Sequence, residues 1–144
     1  MREILFRGKS NYGNVGEWEY GLVAQPHVTE NGIVTSYYFT KLSENGYSSQ
    51  RTVSANTIGQ YTGLTDKNGQ KIFEGDICQI KGTPHIDETP FVIEWNNEYC
   101  GWFWRDLSFG SPTDGMTPEI ANMAKVIGNI HDNPELMEGA TSDA

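Results

Sequence analysis

Ile58-Gly59-Gln60-Tyr61-Thr62-Gly63-Leu64-Thr65-Asp66-Lys67-Asn68-Gly69-Gln70-Lys71-Ile72-Phe73-Glu74-Gly75-Asp76-Ile77-Cys78 is the stretch that decides the fold class. It places an Asp-Lys-Asn-Gly turn between β-prone flanks, and Asn-Gly in that setting is a strong short-range hairpin signal. Asp66 accepts hydrogen bonds from the backbone of the turn it opens, Lys67 takes a right-handed position and Asn68 the bridge position. Gly69 then supplies the positive φ that closes a type I turn with a G1 bulge. A hairpin is therefore expected over residues 63 to 73. Glu74-Gly75-Asp76 punctuates the chain again, and Ile77, Gln79 and Lys81 then alternate with Asp76, Cys78 and Ile80. The turn residues of this region are Asp66, Asn68, Gly69, Gly75 and Asp76. In several SH3-like barrels a Gly-Asp turn of this kind leads into a barrel strand, an analogy at the level of the fold alone.

On the N-terminal side three segments are rich in aromatic and β-branched residues, residues 2–8, 17–24 and 33–41, and clusters of turn-forming residues separate them. In the second, Trp18, Tyr20 and Leu22 share one parity and Glu17 and Glu19 the other, the period of a half-buried strand. A β-meander over residues 1–50 is expected, with the polar run 42–51 as a mobile connection. On the C-terminal side, residues 91–95 and 99–104 read as a second hairpin around Asn96-Asn97-Glu98. A short helix is expected from Pro118 to Met123, with proline at its first turn, then a closing strand over 125–130. Asn133 caps a last turn, and the tail 139–144 reads as disordered. The fold class is mainly β: the meander, then an SH3-like barrel over 51–138, with one or two short helices and a shared core.

Charge is uneven. The 144 residues carry 10 Lys+Arg against 19 Asp+Glu, a formal net charge of −9. Residues 72–144 hold three basic side chains against thirteen acidic ones. Phosphate-backbone binding needs the opposite balance, so direct nucleic-acid binding is disfavoured. The acidic face is a solubilising one, and a less favoured role for it is to mimic nucleic-acid charge toward a basic protein. No stretch approaches the length of a membrane span and the N-terminus lacks an apolar signal core, which implies a cytoplasmic location. Cys78 and Cys100 show no CxxC spacing and read as reduced cysteines packed in strands.

Chemistry finds no anchor in the spacing. Glu74 and Asp76 are paired carboxylates that can in principle bind Mg²⁺ in a metal-dependent hydrolase, but turn chemistry already accounts for an aspartate at that place. His27, His85 and His131 form no HxH or HxxxH pair, and there is no Gly-x-Ser-x-Gly elbow or phosphate loop. Neither catalytic nor cofactor nor metal residues are assigned. The aromatics carry more. Tyr99 and Phe103 project opposite to Trp102 and Trp104, and these four are the candidate interaction residues. Aromatics on both faces serve as a stacking platform, or as core on one side and an interface on the other; the acidic surroundings favour the second. Such a strand needs cover on both faces, which predicts that it lies at a subdomain or subunit interface and that the protein is partly homo-oligomeric.

Three runs stand in order: Ile4-Leu5-Phe6-Arg7-Gly8-Lys9, the Gly59 to Ile77 core, and Val126-Ile127-Gly128-Asn129-Ile130-His131-Asp132-Asn133-Pro134-Glu135-Leu136. Together they resemble the YopX family of small prophage-encoded proteins over nearly the whole chain. The resemblance implies a phage or prophage accessory protein, a soluble, mostly β module, and assigns it no reaction. The reading that combines it with the residues is a non-catalytic binding or adaptor module acting on a host or phage protein.

Overall fold

A computed structural model of the chain describes residues 2–42, 44–46, 48–108 and 110–137. The tail expected over 139–144 lies outside these. The chain divides into two compact units, Met1–Tyr61 and Thr62–Ala144, where the sequence suggested a division after residue 50.

The first unit is an antiparallel meander of β1 (Phe6–Lys9), β2 (Trp18–Val28), β3 (Val34–Leu42) and β4 (Ser48–Ser54), followed by a 3-10 turn at Ala55–Thr57. The start of β5 (Gly59–Thr65) pairs with β1 on its other side, Phe6 opposite Gln60. β2 continues through Pro26, which the sequence placed in a connection. Pairing with β1 ends at Gly21, so beyond it β2 hydrogen-bonds to β3 alone and a residue lacking N–H is tolerated on the other edge. Part of the polar run 42–51, expected to be a mobile connection, is strand: residues 48–51 belong to β4, which pairs in continuous register with β3 from Ser36–Ser54 to Leu42–Ser48. As an edge strand it is made mostly of Ser, Gln, Arg and Thr, with Val53 its one apolar residue, and so gives little hydrophobic signal. Phe39 and Val53 are fully buried here, and the Arg7 guanidinium lies 4.5 Å from the Trp18 ring centroid.

The second unit begins in β5. Its end pairs with β6 (Lys71–Phe73) across the Asp66–Gly69 turn. Asp66 N–H donates to Gln70 O and Gly69 N–H to Asp66 O, with Gly69 at φ +80°, the left-handed conformation the bulge requires. Glu74-Gly75 then turns the chain into an antiparallel sheet of order β10-β9-β8-β7-β11: β7 (Asp76–Gln79), β8 (Phe91–Asn96), β9 (Gly101–Asp106), β10 (Asp114–Gly115) and β11 (Lys125–Asn129). Between β10 and β11 lies α1 (Pro118–Met123), capped by the Thr117 hydroxyl oxygen accepting from Ile120 N–H. The expected SH3-like barrel is not formed, because the sheet stays open. β10 has only two residues, and the chain after it enters α1 and does not pair β10 with β11.

Both faces of this sheet are covered. Cys78, Ile80, Phe91 and Ile93 pack with Ile72, Leu64 and the α1 region (Ala121, Ala124) on one side. Ile77, Val92 and Leu107 pack with Ile127, Ile130, Leu136 and Met137 on the other. Alternation along β7 and β8 explains the split: 78 and 80, 91 and 93 face one layer, 77 and 92 the other. Leu136 and Met137 belong to the helical turn 134–137 that follows Asn133.

Candidate functional site

The aromatic hairpin β8–β9 builds one wall of a pocket. Cross-strand pairs Ile93–Trp104 and Trp95–Trp102 put Phe91, Ile93, Trp95, Trp102, Trp104 and Asp106 on a single face. Phe91 and Trp104 meet at 5.3 Å between ring centroids, and Trp95 and Trp102 at 5.1 Å in an edge-to-face contact. Trp102 and Trp104 are half-buried against the second unit's own core cluster, which supplies the cover the sequence sought at an interface. Phe103 projects the other way and stacks with Tyr99 at 5.4 Å. On that face the Arg105 guanidinium makes a bidentate pair with Glu94, its Nη2 2.7 Å from Oε1.

Tyr99 and Cys100 are not strand residues, contrary to the expected 99–104 segment. They close the 97–100 turn, where Asn96 Oδ1 accepts from Tyr99 N–H and the exposed Cys100 stands at φ +52°. The other cysteine, Cys78, is buried in β7. Burial, with the charges of Asp76 and Asp66, pushes its thiol far up, so it is a packing residue. A left-handed non-glycine costs about 1 kcal/mol. Cys100→Gly is expected to stabilise the protein by about 0.5 kcal/mol once glycine's larger unfolded-state entropy is set against that relief. Thermal melts check this, and a lower midpoint would contradict it.

The 82–90 loop and α1 complete the pocket, a cavity of about 350 Å³ lined by Ile80, His85, Ile86, Asp87, Thr89, Phe91, Trp104, Asp106, Ile120 and Met123. The loop is held by short-range bonds. Gln79 Nε2 donates to Glu88 O, Gly82 N–H donates to the Glu88 carboxylate, and Asp87 Oδ1 accepts both the N–H and the hydroxyl of Thr89. Those Thr89 bonds hold the Asp87 carboxyl below its usual range, so it is charged at neutral pH. Asp106 is buried, and its Oδ1 accepts from the N–H and hydroxyl of Ser108, which leaves Oδ2 outside both bonds. The Trp104 indole N–H is buried with no acceptor among the described residues. A donor in that condition costs about 1–3 kcal/mol until something accepts from it. The wall is thus mainly apolar, the polar groups at it include two carboxylates, and no Lys or Arg lines it.

Of the four aromatic candidates only Trp104 lines this pocket. The residues that sequence reasoning passed over are Asp106, which strand alternation places with Trp102 and Trp104, and Ile86, Ile120 and Met123, whose convergence no local pattern announces. The other candidates lie apart from it. Asp76 is fully buried and its Oδ2 accepts from Phe73 N–H, at the turn where Gly75 (φ +87°) donates its N–H to Ile93 O and accepts from Ile130 N–H. Glu74 stands in the same turn. His27 Nδ1 lies 2.9 Å from the Tyr38 hydroxyl, His85 lines the pocket, and His131 N–H donates to Asn129 Oδ1. Among the described residues no three His, Cys, Asp or Glu side chains gather as metal ligands.

Asp66 does more than open its turn. Oδ1 accepts from Asn68 and Gln70 N–H and Oδ2 from Val126 N–H in β11, 3.0 Å away. Beside it, Lys67 N–H donates to Ala124 O. The turn is therefore bolted to the closing strand.

Similarity to known proteins follows this anatomy. A crystal structure of protein EF1440 from Enterococcus faecalis is similar over 95% of this chain and 99% of that one, at 24% identity and a TM-score of 0.54, a likeness of fold. No curated protein matches the chain. The family model for YopX protein matches residues 5–138, which take in the bolted turn, the pocket strands and the closing segment, and the chain belongs to the YopX family.

Proposed function

We propose that this chain is a non-catalytic protein-binding module, a prophage accessory protein that acts in the bacterial cytoplasm on a host or phage protein. The observation that carries this is the apolar pocket between the 82–90 loop, α1 and the β8–β9 hairpin, with Asp87 and Asp106 at its wall. Its size suits one large apolar side chain, and its charge suits a neighbouring Lys or Arg on the same partner segment. The excess of carboxylates over the whole chain supports a basic protein as partner and opposes direct nucleic-acid binding. Among the described residues no helix is long and apolar enough to cross a membrane. Self-association, if it accompanies this role, uses the exposed rings of Trp95 and Tyr99, and sedimentation across a concentration series tests it.

Selection of random peptides on the purified protein is expected to enrich an apolar residue next to Lys or Arg. Ile86 sits on the loop with 37% of its surface exposed, so Ile86→Glu leaves the fold in place. It removes about 1.5–3 kcal/mol of contact from a bound side chain, at least tenfold in affinity. Selected peptides without that pattern, or with affinity indifferent to Ile86→Glu, would refute the reading.

A further inference from the structure

We propose that Lys67, Lys81 and Lys125 form a pocket for the phosphate group of a small phosphomonoester. The second unit, residues 62–144, carries only five Lys+Arg against fourteen Asp+Glu, yet three of the five line one cavity of about 200 Å³ together with Gln79 and Ile127. Random placement on so acidic a surface would intersperse each lysine with carboxylates. Instead none of the three makes a salt bridge among the described residues. Asp66, whose charge interacts with that of Lys125, spends its oxygens on three backbone N–H groups, and Glu88 accepts from Gly82 N–H.

The backbone that gathers these lysines is rigidly tied. Lys67 N–H bonds to Ala124 O at 2.9 Å, and Asp66 accepts from Val126 N–H, so the turn is tied to the chain on both sides of Lys125. Lys125 and Gln79 are register partners in β11 and β7, and Lys81 follows two residues after Gln79, just beyond the end of β7. Three lysines line this one cavity, so a dianion bound there is attracted by three cationic side chains at once.

Size and charge choose among anions. The overall field of a chain with net charge −9 repels a polyanion such as DNA, whereas a compact dianion seated in the pocket feels the three lysines at closest range. Ile127 offers an apolar wall that bare phosphate cannot use, which favours an ester with a short carbon body. The site is separate from the apolar pocket: Ile80 lines that one, and its chain neighbours Gln79 and Lys81 line this one.

Calorimetry and amide-shift titration of the full chain with inorganic phosphate and with phenyl phosphate test the assignment. Phenyl phosphate is expected to bind at about millimolar or tighter and more tightly than inorganic phosphate, moving the amides of Lys67, Gln79 and Lys125. The double variant Lys67→Gln/Lys125→Gln is expected to lose at least tenfold in affinity while Lys71→Gln, outside the pocket, retains it. Equal affinity for the two probes places free phosphate in the site and removes the ester. Binding to neither probe, binding that survives the double variant, or a preference for a DNA oligonucleotide over phenyl phosphate would overturn the proposal.

Discussion

Asp66→Ala is expected to destabilise the protein by about 3 kcal/mol, lowering the melting midpoint by roughly 15 °C for a unit of this size. The carboxylate is buried and accepts three backbone N–H groups at 2.8, 2.9 and 3.0 Å, from Asn68, Gln70 and Val126. Alanine leaves all three without that acceptor and loosens the neighbouring Lys67–Ala124 bond. Asp66→Asn separates the local from the long-range part. Its one carbonyl oxygen still serves the turn, but the amide nitrogen cannot accept from Val126, so about half the loss is expected. A midpoint for Asp66→Ala within a degree or two of the parent would show that the turn is not bolted to β11 as described.

Acid dependence gives a second reading of the same residue. Burial pushes the Asp66 carboxyl up, but the three backbone donors from Val126, Gln70 and Asn68, aided by the charge of Lys125, outweigh it and hold the group below its usual range. A depressed carboxyl stabilises the fold above its unfolded value, about pH 4, and that contribution fades as pH falls through the lower folded value. The stability gap between the parent and Asp66→Asn should therefore be full at neutral pH and narrow in acid below pH 4. Denaturant titrations at a series of pH values measure it, and a gap that widens in acid would reverse the sign of the argument.

The two roles of Asp66 also mark where sequence reading stops. The turn at 66–69 is legible because every bond in it spans four residues or fewer, and residue type alone fixes which atom accepts. The bond to Val126 spans sixty residues and needs the placement of β11, which no local spacing encodes. β4 was hidden for a related reason, since an edge strand of Ser, Gln and Thr acquires its regularity from β3 and not from its own pattern. In the pocket, alternation along β9 was enough to put Trp102 and Trp104 on one face and Phe103 on the other. It did not reveal that Asp106 continues that face into a cavity, because the opposite wall comes from the 82–90 loop, whose course depends on bonds to Gln79 and Gly82.

Gly128→Val is expected to cost about 3 kcal/mol, by overpacking and by loss of the bonds that hold the last turn. The position requires glycine for close approach. A Cβ there would lie 2.5 Å from Asn133 Oδ1 and 2.8 Å from its Cγ, and with Cβ of Asn133 itself at 3.2 Å the whole side chain has to leave. Asn133 is the anchor of the segment: its Oδ1 accepts from Asn129 N–H, its own N–H donates to Asn129 O, and its carbonyl accepts from Leu136 N–H. The register shift between Val126 and Gly128 brings β11 to this close approach. Displacing Asn133 frees the 134–137 turn and lifts Leu136 and Met137 from Ile77, Val92 and Leu107, uncovering part of one face of the sheet while the opposite face keeps its packing. Hydrogen exchange should accordingly rise first in residues 129–137 of the variant, ahead of β8, with Gly128→Ala showing the same pattern at smaller amplitude. If those amides stay as protected in Gly128→Val as in the parent, Asn133 does not anchor the turn through this contact.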